Sequence, residues 1–272
     1  MNKPLEKLDV AGAQTLRRGL SVLRLLTRVG PGGLPMGEIG RRLELNKATA
    51  VRLTRTLVDE GFVVHDRPSR RYRLGPEAFA VGLAAEPSFE LQRLAAPTLR
   101  MLAGESGDTV FFTVLHGYES ICLSRDEGDF PIRNQLIKPG DRWPLGVGAG
   151  SCAILAALSN DEIDNVLALN AAIRANRFPR CTDVAIRRLI RETRDVGYCL
   201  QPGLIIEDSW AVGVVVRDTD RNPVASISIA AIRSRLGAVR GRSLGNHLIR
   251  ASEALTAMQI EAAAHAGSQR TG

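Results

Sequence analysis

Apolar residues in the first quarter of the chain recur at helical spacing and then change to strand-like runs. In LRRGLSVLRLLTRVG, Leu16, Leu20, Leu23 and Leu26 are three and four residues apart, one face of a helix that Thr15 is placed to cap. Gly30, Pro31, Gly32 and Gly33 end it. A short second helix in PMGEIGRRLEL turns Met36, Ile39 and Leu43 inward. After the turn Leu45-Asn46, a third helix runs through NKATAVRLTRTLVDEG, with Asn46 as N-cap and Gly61 as stop. Its packing side is Val51 or Ala50, with Leu53 and Leu57. Phe62-Val63-Val64 and Tyr72-Arg73-Leu74 then form two strands joined by DRPSRR. Helix, short helix, tight turn, helix and hairpin predict a winged helix-turn-helix over residues 14–75.

Residues 88–262 read as mixed α/β. PSFELQRLAAPTLRMLAGESGDT is an amphipathic helix pair or one long helix. TVFFTVLHGYESICLSRDEG gives two strands around His116-Gly117, and strands 211–217 and 224–230 form the clearest hairpin. Between them, PLGVGAGSCAILAAL passes from a glycine-rich turn into an apolar helix, and SLGNHLIRASEALTAMQIEAAA is a final amphipathic helix.

Charge changes the picture of the first domain. Residues 1–75 hold 15 Lys+Arg against 7 Asp+Glu, a net of +8, while residues 76–272 hold 21 against 22, a net of −1. A basic domain joined to a neutral one is the footprint of a nucleic-acid reader attached to something else. The third helix carries Lys47, Thr49, Arg52 and Arg55 in its first turns, the part that meets base edges in this docking mode. Arg67, Arg70 and Arg71 at the hairpin tip are placed to touch phosphate, which fixes register without reading sequence. The alternative for any one of these residues is a solvated face or an internal ion pair.

Cys122, Cys152, Cys181 and Cys199 form no C-x-x-C pair, so neither a zinc cluster nor a disulfide framework is expected, and no cofactor is expected. The N-terminal MNKPLEKLDV lacks the apolar stretch of a signal peptide, and no run approaches a membrane span. The expected location is the bacterial cytoplasm.

The chain resembles the IclR family of bacterial transcription regulators. The resemblance is carried by TLRRGLSVLRLL (15–26), LNKATAVRLTRTLVDEGFV (45–63), YRLG (72–75), PLGVGAGS (144–151), VGY (196–198) and PVASISIAAIRSRL (223–236). It implies an α+β chain: a winged helix-turn-helix, a linker helix over residues 76–87, and a GAF-like effector domain with a curved antiparallel sheet. It also implies a homodimer or dimer of dimers on double-stranded operator DNA, with RNA polymerase as a further candidate partner.

The GVGAG turn has its own chemistry. Glycines let a ligand approach the backbone, and free amides at a helix start favour a carboxylate, although such a turn is often plain helix entry. The family's pocket carries over onto Ala149 and Gly150 in this loop, onto Ile132, Gln135 and Trp143 on one side, and onto Gln201, Ala211, Ser228 and Ala230 on the other. Here Gln201 stands where many members have Asp, Ala211 where many have Cys, Ala230 at the second strand serine, and Cys152 in place of a common lysine. The expected pocket is therefore less polar, suited to an organic acid with an aromatic or otherwise apolar body. Ser228 also reads as plain core packing.

Two other classes compete with a ligand-responsive regulator. An enzyme would use Cys152 or a serine as nucleophile, with His116 or His247 as base, but no G-x-S-x-G or H-E-x-x-H signature occurs. A purely architectural DNA-binding protein would not need the large second domain. Whether the regulator represses or activates a catabolic pathway is open at this level.

Overall fold

The computed structural model describes residues 13–85, 90–132 and 136–268, and the chain divides into two compact units at Glu90/Leu91.

The first unit contains α1 (Gln14–Thr27), β1 (Leu34–Pro35), α2 (Met36–Arg42), α3 (Lys47–Asp59), β2 (Val63–Asp66), β3 (Arg71–Leu74) and α4 (Pro76–Ala85). Thr15 does not cap α1: Ala13 holds the N-cap place with no side-chain bond, and Thr15 lies inside the helix. The buried face of α1 also differs from the expected leucine stripe. Val22 and Leu26 are buried, whereas Leu16 and Leu20 are exposed, because the small core reaches only the C-terminal half of the helix. At α3, the Asn46 side chain accepts from the Thr49 amide at 2.8 Å, satisfying one of the unpaired donors of a helix start. Ala50, Leu53 and Thr54 face inward, and Val51 is the exposed member of the Ala50/Val51 pair. β2 and β3 pair antiparallel from Val63↔Leu74 to Asp66↔Arg71, and β1 adds to the outer edge of β3.

The second unit runs α5 (Glu90–Ser106), β4 (Thr109–His116), β5 (Glu119–Glu127), β6 (Arg142–Pro144), α6 (Ala149–Ala156), α7 (Asn160–Arg177), α8 (Asp183–Val196), β7 (Cys199–Gln201), β8 (Ser209–Arg217), β9 (Pro223–Ile232) and α9 (Ala238–Ser268). The strands form an antiparallel six-stranded sheet in the order β6-β5-β4-β9-β8-β7. α5 is one helix, resolving the pair-or-single alternative, with Pro97 inside it.

Alternation along the strands separates two faces. Val110, Phe112, Val214, Val216, Ile227 and Ile229 pack with Leu99 and Leu102 of α5 and Leu248 and Leu255 of α9. Apart from Phe111 and Val215, the residues of the opposite face are small or polar: Thr113, Ser226, Ser228, Ala230, Ala211 and Gly213. That face receives α6. A Cβ on Gly213 of β8 would lie 2.6 Å from the Gly150 nitrogen and 2.7 Å from the Ala149 carbonyl carbon. A Cβ on Gly150 would lie 2.6 Å from Ser226 Oγ. Two glycines thus let the first turn of α6 rest directly on the sheet. Behind it, Leu145, Ile154, Leu155, Ile186 and Leu189 form a second core with α8.

Two consequences are testable. Asn46→Ala should cost about 1 kcal/mol of α3 stability, read as roughly fivefold faster hydrogen exchange at the α3 amides, and unchanged exchange would contradict the cap. Gly213→Ala should lower the unfolding free energy by about 1–3 kcal/mol in urea titration, through overpacking of α6 against β8. Gly237→Ala, where an added Cβ meets nothing within 4 Å, is the control and should leave stability in place. Equal behaviour of the two variants would rule out the close α6–β8 contact.

Candidate functional site

The basic residues singled out from the sequence occupy one helix and one hairpin. Lys47, Arg52 and Arg55 are exposed on α3, and Thr49 is half-buried. Arg67 and Arg70 are exposed in the tip between β2 and β3, where Arg70 takes a left-handed backbone (φ 56). Arg71 is placed differently from its expected tip position. It opens β3, and its Nη1 donates to the Gly33 carbonyl at 2.9 Å, tying the wing to the loop before β1. At the tip, the Asp66 carboxylate accepts from the hydroxyl and amide of Ser69, which holds its pKa below the usual value. Arg41 and Arg42 of α2 both bond Glu38 and hold its carboxyl down at about 2, so part of the domain's positive charge is matched internally.

On the inner face of the sheet, a cavity opens beside the start of α6. It holds about 520 Å³ of atom-free space, its open mouth included. Trp143, Ala149, Gly150, Gln201, Ala211, Ser228 and Ala230 all line it. Ile132 does not: it is 57% exposed, on the surface between β5 and β6. Gln135 lies outside the described residues. Further wall residues, absent from the candidates above, include Phe111, Thr113, Ser120, Ile137 and Ile205. For Phe111 and Thr113 the signal was the period-two alternation of β4, which turns them to the face opposite Val110 and Phe112.

Local chemistry shapes this cavity. Gly148 is the N-cap of α6 with φ 88, a backbone that favours glycine, and no side chain caps the helix. Cys152 N bonds Gly148 O at 2.8 Å, the first intrahelical bond, so the preceding amides have no partner within the helix. Ser151 Oγ accepts from Gly146 N at 3.0 Å and fixes the loop before the helix. The Trp143 ring meets Phe178 with centroids 5.3 Å apart, closing one wall. Thr113 Oγ1 and Ser226 Oγ bond each other at 2.7 Å beneath Gly150. Gln201, 3% exposed, presents a buried Nε2 with no hydrogen-bond partner among the described residues.

The cysteines do not make a reactive centre. Cys152 is fully buried, and its thiol pKa is raised well above the ordinary value by the hydrogen bond with Cys199 and by burial. Burial pushes Cys122 up to about 12 and Cys181 to about 11. The position near a helix start therefore does not activate Cys152, since desolvation and a neighbouring thiol outweigh it. Of the alternative bases, His116 is exposed at the end of β4, and His247 Nε2 sits 3.3 Å from Glu105 Oε2 of α5. Among the described residues, no helix is long and apolar enough to cross a membrane.

With this geometry in view, two family models match the chain. The IclR helix-turn-helix domain matches residues 15–67, and the bacterial transcriptional regulator IclR C-terminal domain matches residues 84–257. The HTH-type transcriptional repressor AllR of Klebsiella pneumoniae is 29% identical over 229 residues, covering 83% of this chain and 82% of that protein. A putative IclR transcriptional regulator from Silicibacter sp. TM1040 is 26% identical with TM-score 0.70, covering 90% of this chain and 96% of the other. An IclR homologue from Microbacterium hydrocarbonoxydans, solved as a complex with 4-hydroxybenzoate, shares the fold at 21% identity and TM-score 0.73, covering 91% and 99%. The chain belongs to the IclR family of bacterial transcriptional regulators.

Proposed function

We propose that this regulator reads an operator with α3 and the wing, and that a small organic or aromatic acid in the sheet cavity switches it. The carrying observation is the pairing, in one chain, of an exposed basic α3 with an uncharged, largely apolar cavity at an uncapped helix start. Lys47, Thr49, Arg52 and Arg55 face base edges in this reading, while Arg67 and Arg70 touch phosphate. Arg71 contributes to the wing chiefly by holding it to Gly33. Ala149 and Gly150 offer amides to a carboxylate, and Trp143, Ala211 and Ala230 enclose its apolar body. The 4-hydroxybenzoate complex of the Microbacterium homologue supports an aromatic acid as effector, and the AllR relatives support a repressor.

The regulator acts as a self-assembled dimer or dimer of dimers, in the cytoplasm, on genes of a catabolic pathway. Support for self-association is an apolar surface within the first unit: α4 buries none of its residues and leaves Phe79 69% exposed, and Leu16 and Leu20 of α1 are exposed as well. Two copies would set their α3 helices in successive major grooves, about one helical turn apart. The linker over residues 76–87, of which α4 is the described part, would carry the effector's influence to the DNA. That coupling requires a difference in effector affinity between the two arrangements. The raised thiol pKa values support a binding protein rather than an enzyme.

The test is fluorescence anisotropy of the full chain on DNA from its own upstream region, against shuffled DNA. Arg52→Ala should lose about 1–3 kcal/mol of discrimination between the two. Arg67→Ala should weaken both alike and reduce the salt dependence by about one phosphate contact. Benzoate or 4-hydroxybenzoate should change operator occupancy in the parent chain. Unaltered discrimination in Arg52→Ala would overturn the assignment of α3, and indifference to both acids would overturn the sensor.

A further inference from the structure

We infer that Glu38 is a specificity-determining residue of the DNA reader: it clamps Arg41 and Arg42 and so withholds two guanidinium groups from the phosphate backbone. The inference rests on the operator-reading role of α3 and goes further in saying what keeps the domain from holding every DNA sequence alike.

Glu38, Arg41 and Arg42 share the side of α2 turned from the core, three and four residues apart, while Ile39 and Gly40 are buried. Glu38 Oε1 accepts from Arg41 Nη2 at 2.7 Å and from Arg42 Nε at 2.7 Å. Its Oε2 accepts from Arg41 Nε at 3.0 Å, which makes the Arg41 pair bidentate. Glu38 also lies in the first turn of a helix with no side-chain cap, where the open backbone amides favour a carboxylate. With its carboxyl held down at about 2, the clamp stays ionised throughout the neutral range.

The place of this clamp gives it a consequence. In a helix-turn-helix, the helix before the reading helix crosses the DNA backbone. A cation there meets phosphate on any sequence. Residues 36–46, α2 and its turn, hold Arg41 and Arg42 against Glu38 and Glu44, with no net charge. Residues 47–59 hold Lys47, Arg52 and Arg55 against Asp59, a net of +2. Among the described residues, no acid pairs with those three cations of α3. The helix set to grip the backbone is thus neutralised, while the helix set to read bases keeps its charge open. An operator complex is held in register by base contacts, whereas a complex on other DNA settles wherever cations find phosphate. Freed guanidinium groups would therefore favour the second more, and the clamp acts as an element against wrong sequences.

The experiment is fluorescence anisotropy of the full chain on its own upstream DNA and on shuffled DNA, across a salt series. Glu38→Gln keeps the size of the side chain without its charge. Its affinity for shuffled DNA should rise about fivefold or more at about 0.1 M salt, with a salt slope steeper by about one to two phosphate contacts. Upstream DNA should gain less, so that discrimination falls about threefold. Glu38→Ala should behave alike, and thermal unfolding checks that each variant is folded. With Arg41→Gln and Arg42→Gln added to Glu38→Gln, the slope on shuffled DNA should return to the parent value or below it. A purely structural ion pair would shift the thermal midpoint and leave the salt slope in place, and that result would overturn the inference. Weaker binding of Glu38→Gln to shuffled DNA, undiminished discrimination, or a gain that survives the loss of both arginines would overturn it too. Failure of the parent chain to tell upstream from shuffled DNA would instead overturn the operator reading on which the inference stands.

Discussion

The C-terminal unit depends on one close contact, the first turn of α6 lying on β8 at Gly213. Nothing larger than hydrogen fits at Gly213 or Gly150 without displacing backbone or Ser226. That constraint explains the composition of the inner sheet face, where Gly213, Ser226, Ser228, Ala211 and Ala230 replace the Val and Ile of the outer face. The outer face packs against α5 and α9. The inner face is closed at α6 but not beyond it, and the uncovered part is the cavity. A helix start pressed on a sheet of small side chains leaves its amides beside that space, and the sequence supplies no cap to satisfy them.

Electrostatics divide the labour between the units. The first carries exposed arginines and a lysine on α3 and the wing, charge that a polyanion such as DNA would match. Among the described residues, the cavity of the second has no charged side chain in its lining, so the proposed acid would rely on dipoles and hydrogen bonds. The buried thiols of Cys152, Cys181 and Cys199 belong to the packing behind that cavity; the hydrogen bond with Cys199 and burial raise the pKa of Cys152, and burial raises that of Cys181.

Much of this was legible in the sequence because short-range physics fixes it. The Asn46 cap, the stop at Gly61, the arginine-bearing turns of α3 and the hairpin after it are local signals, and the structure carries each. The β8–β9 hairpin announces itself by alternation. Failures came where tertiary context decides. Leu16 and Leu20 have the right spacing for a core face, yet that half of α1 has no core to meet in its own unit. Arg71 looks like a tip residue until the approach of Gly33 engages it, and Ile132 lies in a loop with no periodic signal. α7 and α8 also carry local signals: Ser159 and Glu162 form a capping box, and Ile186, Leu189 and Ile190 form a stripe. Those signals were readable. The unpartnered state of Gln201 was not, since it depends on what three strands and a helix fail to offer it.

Amide hydrogen exchange of the full chain with and without benzoate tests the central claim, that an acid seats at the start of α6, most directly. The account predicts slowed exchange in peptides covering residues 145–156 and 199–213, with the amides of Ala149 and Gly150 most affected. Unchanged exchange there, with protection appearing only elsewhere in the chain, would contradict it.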